Sequence, residues 1–149
     1  MNATESSALD EDAQSDVDES VALLHMALEL DPRSVGRARI AVAQRLGRHQ
    51  LRALCDDAVQ VVSELVTNAI QHGTGHTVTL TLREADRTLH IDVAGSSDGC
   101  PALRAAPAGA EDGRGLWIVD RLATRWGSRS EEDGVHTWCM LVLPLQAVA

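Results

Sequence analysis

The 149-residue sequence has no phenylalanine, no tyrosine and no lysine, and asparagine occurs only at positions 2 and 68. All 13 basic residues are therefore arginine, a composition that a codon bias toward G and C would produce. Against that background Asn68 stands out as the only asparagine in the body of the chain. Cysteine is also scarce: Cys55, Cys100 and Cys139 are odd in number, far apart and without a CxxC pair. This excludes a disulfide framework or a zinc site and suits reduced, partly buried thiols, none of them catalytic. No apolar run approaches transmembrane length, and the acidic start lacks the basic and apolar regions of a signal peptide. A cytoplasmic protein, not associated with a membrane, is expected.

Charge is unevenly spread. The net charge is −9, and residues 1–20 carry seven acids (Glu5, Asp10, Glu11, Asp12, Asp16, Asp18, Glu19) and no base. The body then holds 15 of the 22 acids against 13 arginines, a net −2. The first 20 residues have little apolar surface and are expected to be a disordered tail, with one domain over residues 21–147. An acidic body without a basic patch argues against direct nucleic-acid binding. The 44% of hydrophobic residues suffice for a core.

Periodicity predicts a strand over Val21–Leu30, a helix capped by Ser34 and running to Gly47, and a second helix from about Ala53 to His72. The first helix is expected to bury Val35, Ala38, Ile40, Ala41, Val42 and Leu46. Alternation then predicts a hairpin, with Val78, Leu80 and Leu82 facing Leu89, Ile91 and Val93 across a turn at Asp86-Arg87. Gly95 to Gly115 has no period and reads as a long loop. A short helix follows from Leu116, packing Leu116, Ile118, Val119 and Leu122. A second hairpin closes the chain, Arg125–Ser130 and Val135–Leu145, turning through Glu131-Glu132-Asp133-Gly134 and ending at Pro144. The fold class expected is α+β: a two-layer sandwich whose mixed, largely antiparallel sheet is covered on one face by helices.

The segment VVSELVTNAIQHG, residues 61–73, is central. At 3.6 residues per turn, Ala58, Val62, Leu65, Val66, Ala69 and Ile70 make one apolar arc, with Glu64 and Asn68 stacked along its border and Asp57 and Gln71 near the same edge. Hard oxygen ligands of this kind suit Mg²⁺, which takes one or two protein oxygens plus phosphate oxygens. A carboxylate one turn away could orient or deprotonate a nucleophile. On these residues alone, a solvated helix edge remains the alternative. His72 and His76 have metal-like spacing, but Gly73 and Gly75 break the helix between them and discount a zinc pair. Further on, Asp112-Gly113-Arg114-Gly115 leads into a helix, where free backbone N–H groups make a place for phosphate; a flexible approach to the helix is the other reading.

An ELVTNAIQHG helix, a hairpin, a loop ending DGRGLWIVDRLATRWG and a terminal hairpin carrying Trp138, in that order from about Leu23 to Pro144, resemble the anti-sigma-factor serine kinases of the GHKL ATPase superfamily. The resemblance implies a Bergerat-type sandwich that holds ATP between its helices and a glycine-rich lid. On that pattern Asn68 is the Mg²⁺ ligand and Glu64 the general base. Gly113 and Gly115 face the phosphates, with Arg114 within reach of them, and Leu116 and Thr137 are counted among the nucleotide contacts. The partners implied are a sigma factor, a small antagonist protein, or both, and a homodimer is left open.

Two departures stand out. The family places an adenine-binding Asp at the end of the central hairpin strand, where this sequence has Gly95. Strand alternation turns Asp92 to the opposite face, so Asp98, in the following loop, is the nearest replacement. Relatives also tend to carry Lys after the glycine of the last turn, and here Val135 follows Gly134. Three functions therefore stay open: an ATP-dependent serine/threonine protein kinase working by partner switching, a nucleotide-poor binding module that sequesters a sigma factor or antagonist, and, ranked last, a sensor-kinase fragment, for which no dimerisation helix or phosphoacceptor-histidine segment is found.

Overall fold

The computed structural model describes residues 20–97, 111–132 and 134–144. Strand β1 spans Val21–Glu29 and leads through Asp31-Pro32 into helix α1, Arg33–Gly47. Ser34 does not cap this helix. Its buried hydroxyl donates instead to the Glu29 carbonyl at 2.7 Å, and the Asp31 carboxylate accepts the Arg33 backbone N–H at 2.8 Å. The Arg33 side chain closes back on Asp31 at 2.9 Å, and this bond holds the exposed Asp31 carboxyl down at about 2. The buried set of α1 is Ser34, Ala38, Val42 and Leu46, a strict i, i+4 row. Ile40, expected inside, is 60% exposed, because one row of small and branched residues is all this helix needs to seat on the sheet.

A 3₁₀ turn, Arg52–Leu54, precedes helix α2, Cys55–His72. Ala58, Val61, Val62, Leu65 and Val66 are buried along it. The helix ends without a left-handed cap: Gly73 is extended at φ −76 and ψ 146, and strand β2, Gly73–Ala85, begins on that residue. Asp86 and Arg87 both take positive φ, 47 and 64, as a two-residue hairpin turn whose twist matches its strands requires. Strand β3, Thr88–Ser97, returns alongside β2. Helix α3 covers Glu111–Leu122, and strands β4, Arg125–Glu131, and β5, Gly134–Val142, form the closing hairpin.

The five strands lie in the order β1-β2-β3-β5-β4, and all four pairings are antiparallel. The sheet expected to be largely antiparallel is so throughout. Val78, Leu80, Leu82, Leu89, Ile91 and Val93 are all at most 2% exposed and form the sheet's half of the core, facing the buried row of α2. With no Phe or Tyr available, the whole cluster is aliphatic apart from Cys139. Burial pushes the Cys139 thiol up to about 12, so it is protonated and out of reach of reagents. Alkylation at pH 8 followed by peptide mass spectrometry should leave Cys139 unmodified in native protein and modify it fully after denaturation.

The β2 alternation runs one step further than hydrophobicity indicates. Glu84 follows Val78, Leu80 and Leu82 on the helix-facing side and is only 9% exposed. Its carboxylate accepts the Gln50 amide at 2.6 Å and lies 3.2 Å from His49 Nε2. His49 Nδ1 in turn accepts the Leu51 backbone N–H at 3.1 Å, which fixes the tautomer that donates from Nε2. This corner pins the α1–α2 connection to the end of β2.

On the opposite, helix-free face, Asp92, His136, Glu131 and Arg129 close a ring of ion pairs. His136 reaches Asp92 at 3.0 Å and Glu131 at 3.3 Å, and Arg129 reaches the same two carboxylates at 3.0 and 2.6 Å. Beside it the Trp138 ring covers Gly127, where a Cβ would come within 3.0 Å of the ring.

Candidate functional site

The site is built on the face where α2 crosses the ends of β2, β3 and β5. Gly95 pairs with Val78 on one side and Val135 on the other, both buried. A Cβ placed on Gly95 would meet Val78 Cγ2 at 3.6 Å and the Ala69 Cβ of α2 at 4.0 Å. The glycine therefore faces the helix, as alternation predicts. A Cβ fits there in ordinary van der Waals contact with the strand and the helix. Asp92 belongs to the ring on the far face and cannot serve this pocket.

Ala69 follows directly on Asn68, and Glu64 lies one turn earlier. Both Glu64 and Asn68 are half-buried. Neither makes a hydrogen bond or ion pair with another part of the protein among the described residues. By contrast, Ser63, next along the helix, spends its hydroxyl on the Val59 carbonyl at 2.8 Å. A carboxylate and an amide one turn apart, half-shielded and uncommitted, are free to bind something brought from outside. Asp57 and Gln71, expected along the same edge, are exposed.

Leu116 and Val119 of α3 are 4% and 0% exposed, and α3 packs on α2. The placement of α3 corrects one boundary: the helix begins at Glu111, not at Leu116, and β3 runs to Ser97. Gly113, Arg114 and Gly115 thus lie within the first turns of α3, since glycine content is a weaker signal than the packing of Leu116 and Val119, from which the helix extends backward. The first four amides of a helix have no partner inside it. Those of Glu111, Asp112 and Gly113 are in that set, and those of Arg114 and Gly115 pair back along the helix. Thr137 is buried, 5% exposed, on the helix-facing side opposite Val93. Asp98, and the stretch from residue 98 to 110 expected as a lid, lie outside the described residues.

A family model for the histidine kinase-like ATPase domain matches residues 28–140. The chain belongs to this family. Among solved structures it is similar to the histidine kinase domain from Erythrobacter litoralis EL346 blue-light activated histidine kinase, with 18% identity and a TM-score of 0.49, covering 80% of this chain and 64% of that one. No curated protein matches it. Membership of a histidine kinase-like ATPase family implies ATP binding, generally with Mg²⁺.

The residues present fit that ligand in part. Glu64 and Asn68 carry oxygens of the hard kind that Mg²⁺ takes alongside phosphate oxygens, and the described residues contain no group of three His, Cys, Asp or Glu that could hold a metal by themselves. The surroundings of Gly95 given by Val78 and Ala69 are apolar, as one face of a flat base requires, and among the described residues they offer no carboxylate to its amino group. What sequence reading missed here is that Val78, Ala69 and Val135 surround Gly95. The signal was available in strand parity, which places Val135 directly opposite Gly95. No helix among the described residues is long and apolar enough to cross a membrane.

Proposed function

We propose that the protein is an ATP-binding regulatory serine/threonine protein kinase of the anti-sigma-factor type. In this reading it phosphorylates a hydroxyl on a small antagonist protein and, when free of the antagonist, holds a sigma factor. The observation that carries the reading is the uncommitted Glu64–Asn68 pair beside the Gly95 gap. Bound ATP supplies the phosphoryl group. Asn68 contributes its amide oxygen to the accompanying Mg²⁺, and Glu64 accepts the proton of the attacking hydroxyl. The free amides at the start of α3 face the phosphates. The sequence resemblance supports the choice of serine/threonine transfer and of these partners.

One observation favours a second reading, a binding module that sequesters its partner without catalysis. Among the described residues the surroundings of Gly95 carry no carboxylate for adenine, and Asp92 is turned away and ion-paired with Arg129. Titration calorimetry with ATP and ADP, with and without Mg²⁺, separates the two. The kinase reading expects saturable binding that Mg²⁺ strengthens. Absence of heat at millimolar nucleotide, together with nucleotide-independent capture of a sigma factor or antagonist, would replace it with the second.

A further inference from the structure

The arginines of this acidic protein are not dispersed. Six of the 13 fall between residues 33 and 52, a stretch without a single acid. Arg33 is bound to Asp31. The other five, Arg37, Arg39, Arg45, Arg48 and Arg52, are all exposed, and none has an ion-pair or hydrogen-bond partner for its guanidinium among the described residues. Elsewhere arginine is used structurally: Arg129 closes the four-membered ring, Arg87 binds the Leu143 and Pro144 carbonyls, and Arg83 donates to Ser20. Arg37, Arg45 and Arg48 share one flank of α1, with Arg52 on the turn after it, while Arg39, two positions from Arg37, falls on the other flank; the first flank and the turn form an unpaired basic surface on a chain of net charge −9. The acids nearest along the chain, Asp56 and Asp57 at the start of α2, are exposed and do not pair with it.

The fold brings one candidate occupant to the edge of this surface. β1 is an edge strand, and α1 runs back along it. Val21, where β1 begins, pairs with Glu84, and Glu84 is the residue held by His49 and Gln50. The end of the acidic segment and the Arg48–Arg52 turn thus meet at one corner of the molecule, with Ser20 anchored there by Arg83 at 2.6 Å. Residues 1–19 carry seven acids and no base. At about 3.3 Å per residue an extended stretch of that length spans roughly 60 Å, against about 22 Å for a 15-residue helix. Glu19, Asp18 and Asp16 precede Ser20 by at most four residues along the chain, and the whole segment is long enough to reach from this corner along α1 to Arg37.

We propose that the flank of α1 bearing Arg37, Arg45 and Arg48, together with Arg52 on the following turn, is a docking surface for the chain's own acidic N-terminal segment. The attachment is electrostatic, and tethering keeps the local concentration of acid high without specific contacts. The docked segment excludes other polyanions from the surface, so an acidic partner has to displace it. This proposal does not depend on nucleotide binding.

The test is nuclear magnetic resonance on the full chain. Backbone amide shifts and heteronuclear NOEs of residues 1–19 are measured from about 20 mM to about 500 mM salt, a range over which the Debye length falls from roughly 20 Å to under 5 Å. Docking expects shifted amides and raised NOEs at low salt that relax to free-chain values at high salt. The substitutions Arg45→Gln, Arg48→Gln and Arg52→Gln together should produce the free-chain values already at low salt, while Arg121→Gln with Arg125→Gln should not. Unchanged core methyl shifts report that the variants are folded, and the salt series requires no variant. Amides that ignore both salt and the triple substitution would overturn the proposal. So would a segment indifferent to both while a short DNA duplex shifts the arginine side-chain signals, which would assign the surface to an external polyanion.

Discussion

Replacing Gly95 with aspartate should raise ATP affinity by roughly ten- to a hundred-fold, because a charge-assisted hydrogen bond in a closed site contributes about 1.5–3 kcal/mol. The structure makes the substitution feasible. The new Cβ would lie 3.6 Å from Val78 and 4.0 Å from Ala69, ordinary van der Waals contact, and no positive φ is recorded at this glycine. The carboxylate would project between β2 and α2, where it can receive the exocyclic amino group of adenine. Guanine presents a carbonyl oxygen at that position, so the same change should leave GTP affinity flat or reduce it. Calorimetry on both nucleotides in both proteins reads the effect as a change in the ATP-to-GTP ratio. If Gly95→Asp leaves ATP affinity unchanged and the unmodified chain already binds ATP tightly, adenine is read by another residue, with Asp98 the first to substitute. If neither protein binds nucleotide, the pocket assignment fails and the binding module stands.

How far the sequence reached depended on which physical signal was in play. Strand alternation is a period-two pattern tied directly to burial, and it put Val78, Leu80, Leu82, Leu89, Ile91 and Val93 on one face, where all are buried. It also turned Asp92 away from Gly95. The α2 face was legible for the same reason, since its apolar arc is wide and uninterrupted. Helix ends were less so: Ser34 looked like a cap because serine caps helices, but the Glu29 carbonyl needed a donor and took its hydroxyl. Gly113 and Gly115 read as loop by propensity, which is worth only about 1 kcal/mol per glycine, and helix continuity prevailed over it. The polar clusters around Glu84 and Asp92 were invisible because each joins residues more than 30 positions apart. Counting charge over the whole body also concealed the acid-free arginine stretch of α1, which averages out against the acids elsewhere.

Glu64 and Asn68 should separate on substitution, and the separation is the sharpest test of the site. Both side chains are half-buried and bind no other side chain or backbone group among the described residues. Removing either one orphans no neighbour, and alanine at an internal helix position favours the helix. Losses can then be assigned to the ligand and not to folding, with unchanged thermal melts as the control. Asn68→Ala should abolish the increment in ATP affinity that Mg²⁺ provides and leave the Mg²⁺-free affinity nearly as it was, because the amide oxygen is spent on the cation. Glu64→Ala should leave nucleotide affinity nearly intact and lower phosphoryl transfer to an antagonist protein by roughly 10²- to 10⁴-fold, the usual contribution of a general base. Calorimetry with and without Mg²⁺ and single-turnover transfer of radiolabelled phosphate read the two effects independently. Transfer at the full rate in the Glu64 variant would remove that residue from the chemistry. Loss of all nucleotide binding in it would make Glu64 a ligand-binding group, and the roles along the α2 border would have to be reassigned.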